Sequence, residues 1–189
     1  VKHIITSPIE HHAVEHVAEE LQRTGAAKVH WLRLMPDGKA DLAHLEELLK
    51  AHDHVLVSLM HANNELGTRN DLVAIGDLCR KYNALFHTDT VQTMGHYRFD
   101  LEQLPIDFLT CSAHKFHGPK GVGFLYMRNG AVVKPMLVGG AQERNMRAGT
   151  ENIIGIVALA KAMDVAYRDL DDHVRHVQGL KDRMRKRGL

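Results

Sequence analysis

Short apolar runs alternate with amphipathic stretches along most of the chain, and this alternation limits the possible folds more than any other feature. Val55 to Met60 is an almost unbroken apolar run, the pattern of a strand in a sheet covered on both faces. Further strands are expected at His3 to Ser7, Val29 to Leu34, Ala84 to Thr88, Asp107 to Cys111 and Gly121 to Met127. Between them lie helical patterns. Pro8 and Glu10 open the first, which has Ala13, Val14, Val17, Ala18 and Leu21 on its apolar side and ends at Gly25. Pro36-Asp37-Gly38 reads as a turn, and Asp41 suits the N-cap of a helix carrying Leu42, Leu45, Leu48 and Leu49. A third helix runs from about Asp71 to Tyr82, and a long one starts at Thr150 and carries Ile153, Ile156, Val157, Leu159, Ala160 and Met163. Repeated strand–helix–strand units predict an α/β fold, a mostly parallel sheet with helices on both faces.

The 189 residues suffice for one sizeable core, and a content of 44% hydrophobic and 25% charged residues is that of an ordinary globular protein. A formal net charge of +1 gives no electrostatic footprint for nucleic acid. The basic run Lys181 to Arg187 reads as a helix end that complements the negative end of the helix dipole. No apolar run approaches the roughly 20 residues that span a bilayer, so no membrane partner is expected. Cys79 and Cys111 cannot build a disulfide framework, and a reducing cytoplasm is the expected setting. The chain opens without Met on a strand-like segment and stops inside a charged helical pattern, which reads as a piece of a longer protein.

In parallel sheets, ligands bind beyond the carboxyl ends of the strands, so the polar residues after each strand carry the functional information. After the fifth strand comes Ser112-Ala113-His114-Lys115-Phe116-His117-Gly118-Pro119-Lys120. A lysine there, partly desolvated in a Gly/Pro-rich loop, has the character of an imine-forming amine; a phosphate-gripping loop or a plain turn would use the same residues. Asp89 ends the fourth strand, in His87-Thr88-Asp89-Thr90-Val91-Gln92. A carboxylate so placed needs a partner, and a pyridinium nitrogen, a helix end or a metal would each serve. His61-Ala62-Asn63-Asn64-Glu65 puts two amide donors after the third strand, and Glu10-His11-His12 puts an imidazole after the first. Gly139 to Asn152 offers glycines, Arg144, Arg147 and the hydroxyl of Thr150 at a helix start, which reads as an anion site or as a loop with an N-cap at Thr150. Fifteen histidines raise the question of a metal, but no H-E-x-x-H or C-x-x-C spacing occurs and no metal is expected.

Taken together, T-S-P-I-E-H, M-H-A-N-N-E-L-G, H-T-D-T-V-Q, S-A-H-K-F-H-G-P-K-G and R-A-G-T-E-N resemble the cysteine desulfurases, in that family's order from about His3 to Asn152. These are fold-type I pyridoxal-phosphate (PLP) enzymes of the class V aminotransferase group. The resemblance implies that Lys115 is the Schiff-base lysine and Asp89 the partner of the pyridinium nitrogen. It implies that Gln92 and Asn64 donate near the phenolic oxygen, that His11 stacks on the ring, and that Ser112 and His114 hold the phosphate. Lys115, His11 and His114 are thereby the catalytic candidates, His114 through proton transfer. Thr150 would reach the phosphate in the neighbouring subunit of a homodimer. The implied reaction takes L-cysteine to L-alanine and leaves the sulfur as a persulfide on an enzyme cysteine, which supplies iron–sulfur scaffold proteins and other acceptors.

Neither Cys79 nor Cys111 falls where that family carries its nucleophile, which sits on a mobile loop in a C-terminal segment; both read as buried apolar positions. The expected organisation is therefore a PLP-binding large domain over residues 1–150, lacking its N-terminal part. A long helix over 151–189 then leads towards a smaller domain outside the chain. The same lysine and aspartate also suit a selenocysteine lyase or another class V relative. A catalytically inactive scaffold fragment and a phosphate-binding module are the readings without imine chemistry.

Overall fold

The computed structural model describes residues 1–131 and 133–188. Six strands form one sheet: β1 (His3–Thr6), β2 (Lys28–Trp31), β3 (Val55–Ser58), β4 (Leu85–Asp89), β5 (Phe108–Ser112) and β6 (Gly123–Met127). Their order is β2-β1-β3-β4-β5-β6; every pair is parallel except β5 with β6, which is antiparallel. The α/β expectation of a mostly parallel sheet holds.

The helices are α1 (His12–Arg23), α2 (Leu42–Ala51), α3 (Leu72–Lys81), α4 (Ile153–Arg168) and α5 (Leu170–Lys186). The chain leaves β1 towards one edge and returns over two strand positions to β3, so right-handed crossovers place α1 and α2 on opposite faces. The β3-α3-β4 crossover runs in the same direction as that of α2, and α3 packs beside α2. Between these helices and the sheet lies the core: Ile5, Leu45, Val57, Ile75, Phe86, Ile106 and Leu109 are fully buried. Phe86, in the middle of β4, is among its largest side chains, and truncation to Ala would cost about 3–5 kcal/mol. The α3 helix approaches so closely that a Cβ on Gly76 would lie 2.3 Å from the Pro105 carbonyl oxygen.

The structure departs from the sequence reading at the helix starts. The first helix begins at His12, with His11 as its N-cap, because Pro8, Ile9 and Glu10 form a turn that carries Glu10 inward. Its outer face is less covered than the apolar spacing implies, and Val17 is 56% exposed. The α4 helix is capped by Asn152, whose Oδ1 accepts from Gly155 N at 3.0 Å; Thr150 lies two residues too early to reach the first free amides. The single long helix expected over 151–189 is two helices meeting at Asp169, which has left the helical conformation at φ −101°, ψ 11°. Leu159 and Ala166 of α4 are buried, whereas α5 beyond Leu170 is exposed along its described length.

Candidate active site

A sheet of order 2-1-3 has a crevice between β1 and β3, where the connections leave in opposite directions, and ligands settle at the carboxyl ends there. A pocket of about 220 Å³ sits at this place. It is lined by His11 from the turn after β1, Asn64 after β3, Asp89 and Gln92 from the end of β4, and Ser112, His114 and Lys115 after β5. Seven of the eight residues singled out from the sequence thus converge, although the chain separates the first and last by 104 positions.

Lys115 rides on a single 3-10 turn, Ala113–Phe116, rather than in an open loop. With three residues per turn, Ala113 and Phe116 share one side and are buried at 0% and 1% exposure, which turns His114 and Lys115 outward to the pocket. Gly95 permits this seating: it has φ +78°, and a Cβ there would stand 2.7 Å from the Phe116 Cβ. The expected desolvation of Lys115 is not found in this chain, where the residue is exposed, because the pocket opens at this edge. Ser112 Oγ and His114 Nδ1 lie 3.1 Å apart, a hydroxyl and an imidazole coupled beside the lysine.

Asp89 forms the floor. It is 9% exposed, its Oδ1 accepts from Val91 N at 2.7 Å, and it makes no ion pair among the described residues. Its carbonyl accepts from His61 N at 2.9 Å, tying the loop after β3 to the end of β4. His11 is held by its own capping role: Nδ1 accepts from Ala13 N at 3.1 Å, which leaves Nε2 as the free ring nitrogen.

The two amides after β3 divide their work. Asn63 is structural, donating to the Ile9 carbonyl at 2.6 Å and accepting from Glu65 N and Leu66 N. Asn64 stands at the pocket, its amide donating to Glu65 Oε1 as its one side-chain hydrogen bond among the described residues. Thr150 is exposed and outside the pocket. The anion site expected beside it is not assembled, since Arg147 Nη1 donates to the Ala148 carbonyl and the helix start belongs to Asn152.

Two features escape sequence reasoning. Glu10, read as a helix-opening residue, is 5% exposed: Oε1 accepts from Ser7 Oγ at 2.8 Å and Met60 N at 3.0 Å, while Oε2 is buried without a partner. Burial, reinforced by repulsion from Asp89, pushes its carboxyl up to about 7. The signal available was a carboxylate three residues after a strand-ending Ser, although nothing in the sequence separates that from an exposed first-turn acid. The second is His87, which bridges three strands, with Nδ1 2.8 Å from Ser58 Oγ and Nε2 3.2 Å from Thr110 Oγ1. Burial lowers its imidazole below the ordinary range. Both thiols are buried as expected, Cys79 pushed up to about 12 and Cys111 to about 11, chiefly by desolvation.

The fold and this pocket define a class, and comparison with known proteins agrees: the chain belongs to the aminotransferase class-V family, whose model matches residues 1–187. Within that class it is similar to cysteine desulfurases. It is 42% identical over 181 residues to the cysteine desulfurase IscS of Dictyoglomus turgidum, covering 96% of this chain and 45% of that protein. It is 44% identical over 185 residues to that of Methanosarcina thermophila, covering 97% and 45%. Among solved structures, a NifS-like protein superposes with a TM-score of 0.90 at 42% identity, covering 98% of this chain and 51% of that one. DndA from Streptomyces lividans gives 0.89 at 34%, over 96% and 52%. The chain spans about half the length of the curated relatives it matches. Among the described residues no helix is long and apolar enough to cross a membrane.

Proposed function

We propose that the chain is the cofactor-binding part of a PLP-dependent cysteine desulfurase, which converts L-cysteine to L-alanine and passes the sulfur to an enzyme cysteine as a persulfide. The observation that carries this reading is the single pocket at the β1/β3 crevice that gathers His11, Asn64, Asp89, Gln92, Ser112, His114 and Lys115. The residues fit PLP. A buried carboxylate without an ion-pair partner suits a protonated ring nitrogen, since an uncompensated buried charge is costly. Asn64 and Gln92 are the amide donors for the phenolic oxygen, and Ser112 with His114 the hydroxyl–imidazole pair for the phosphate.

When bound, PLP supplies an electron sink for negative charge at the substrate Cα. The chain's own residues orient and move protons around it. Asp89 would hold a proton on the ring nitrogen, and its main-chain bond to His61 keeps the carboxylate at the end of β4. His11, locked through Nδ1, presents a flat ring to the pocket. Lys115, in the open mouth, is the amine that would hold the cofactor and could carry a proton to or from the substrate. Neither Cys79 nor Cys111 can receive the sulfur: both lie in the core with thiols far above the range that gives thiolate at neutral pH. The acceptor thiol is therefore one that these two cysteines do not supply. The reading extends to a homodimer in which Thr150 serves the neighbouring subunit, to delivery of sulfur to acceptor or iron–sulfur scaffold proteins, and to a cytoplasmic setting.

Borohydride reduction of the PLP-loaded protein followed by peptide mapping tests this. A PLP adduct on the Lys115 peptide is expected, and an adduct on another lysine, or none, would sink the reading. Residues 1–189 alone, given PLP, L-cysteine and a reductant, should make no alanine above a PLP control. Sustained turnover would show that Cys79 or Cys111 is reachable after all.

A further inference from the structure

At the opposite end of the sheet, three histidines far apart in sequence meet. His3 opens β1, His30 lies in β2, and His52 caps the end of α2 just before β3. Parallel pairing brings them together: in the β1–β2 register His3 aligns with Lys28, two residues from His30, and in the β1–β3 register with Val55, three residues from His52. Their rings lie near-parallel, with centroids 5.2 Å apart for His3–His30, 4.4 Å for His3–His52 and 4.2 Å for His30–His52. One ring nitrogen from each falls within 4.8 Å of the other two, and all three residues are half-buried.

The geometry points to a divalent transition-metal site of the zinc class at His3, His30 and His52, built from three imidazoles with the remaining position open to water. Four observations support it. His3 Nδ1 and His30 Nε2 stand 2.9 Å apart, so one proton must be shared between two basic nitrogens. A cation can replace that proton, and a tetrahedral ion with bonds near 2.0–2.1 Å needs ligand nitrogens about 3.3 Å apart, an opening of roughly half an ångström. Desolvation, then repulsion among the imidazoles and from Lys28, holds His3 and His30 below the ordinary imidazole range. Three imidazole donors select a borderline ion such as zinc over magnesium or calcium, which want oxygen. Asp53, near enough to act electrostatically on His3, partly offsets Lys2 and Lys28, which oppose a cation here.

The site stands apart from the pocket of Lys115, because one is at the amino ends of the strands and the other at their carboxyl ends. A bound ion would clip β1, β2 and the α2–β3 connection together, a cross-link between chain segments rather than a part of the chemistry. A rival cluster exists: His12, Glu15 and His16 are one helical turn apart on α1, and the two imidazoles there are exposed.

The test is calorimetric titration of chelator-treated protein with Zn²⁺ at neutral pH, in the parent and in His30→Gln, His52→Gln and a His12→Gln/His16→Gln double variant. Co²⁺ serves as a spectroscopic probe of ligand geometry. One equivalent should bind with micromolar or tighter affinity. Each of the first two variants should weaken binding by roughly tenfold or more, while the double variant leaves that equivalent unchanged. Zinc about a hundredfold above Kd should raise Tm by roughly 5–10 °C in the parent and by little in His52→Gln. Absence of micromolar binding in the folded parent overturns the assignment, as does binding that survives loss of both His30 and His52 or disappears only with His12 and His16.

Discussion

The two ends of the parallel sheet are furnished in different ways. At the carboxyl ends, each functional side chain comes from a contiguous turn that follows its own strand, and the pocket forms where four such turns meet. At the amino ends, His3, His30 and His52 belong to no motif and meet only because the strands pair in register. Chemistry at one end is written in local stretches of sequence, whereas at the other it is created by alignment of elements. The carboxyl end also carries a thermodynamic burden that the amino end lacks, since Asp89 and Glu10 put two carboxylates into a mostly buried space.

The comparison breaks or sharpens through single substitutions. Lys115→Ala should have the largest effect at the carboxyl end, abolishing the reducible PLP adduct while far-ultraviolet circular dichroism stays that of the parent. The residue is exposed, so folding does not depend on it. An adduct that persists would assign the covalent role elsewhere.

Asp89→Ala in the PLP-loaded, catalytically complete enzyme should lower turnover at least 10²-fold, about 2.7 kcal/mol of barrier. Near-normal turnover with PLP bound would reduce Asp89 to a structural end of β4.

Glu10 tests the cost. Its carboxyl is raised from 4.5 to about 7 in the folded chain. Below pH 4.5 both folded and unfolded forms hold the proton and its contribution is complete. As pH rises from 4.5 to 7 the unfolded chain loses the proton first, so stability falls and stays lowered above 7. Glu10→Gln should therefore be more stable than the parent at pH 8 by about 2 kcal/mol, after roughly 1 kcal/mol is lost because the amide inherits the unpartnered position of Oε2. The gain should vanish at about pH 5 and become a loss of up to about 1 kcal/mol below pH 4.5, as read from urea unfolding of the PLP-free protein. A gain that does not vary with pH would mean that the carboxylate is not strained by burial.

The smallest effect belongs to the amino end. His52→Gln in the absence of metal should change stability by less than about 1 kcal/mol and leave the PLP adduct at Lys115 unaffected. A loss of adduct would show that the two ends are coupled.

Much of this was legible beforehand, and the particular residues explain why. Val55–Ser58 could be placed because a short unbroken apolar run is the pattern of a doubly covered strand. Asp41 and Asp71 cap their helices through side chains that need only a neighbour three residues away. The start of the first helix is not legible in the sequence, because Glu10 in a first turn and Glu10 in a buried turn look alike until Ser7 and Met60 N are beside it. The break at Asp169 was invisible because the helical periodicity continues across it.

By itself, then, the sequence determined what depends on near neighbours: the order of strands and helices, the turns that carry His11, Asn64, Asp89, Gln92 and Lys115, and the burial of Cys79 and Cys111. Only the tertiary structure decided that Lys115 is exposed on a 3-10 turn seated by Gly95, that Thr150 lies outside the pocket, and that three separated histidines touch. The division has one physical cause. Hydrophobic period and capping act over three or four residues along the chain, whereas desolvation, shared protons and close packing act between atoms that only strand pairing and helix packing bring within a few ångströms.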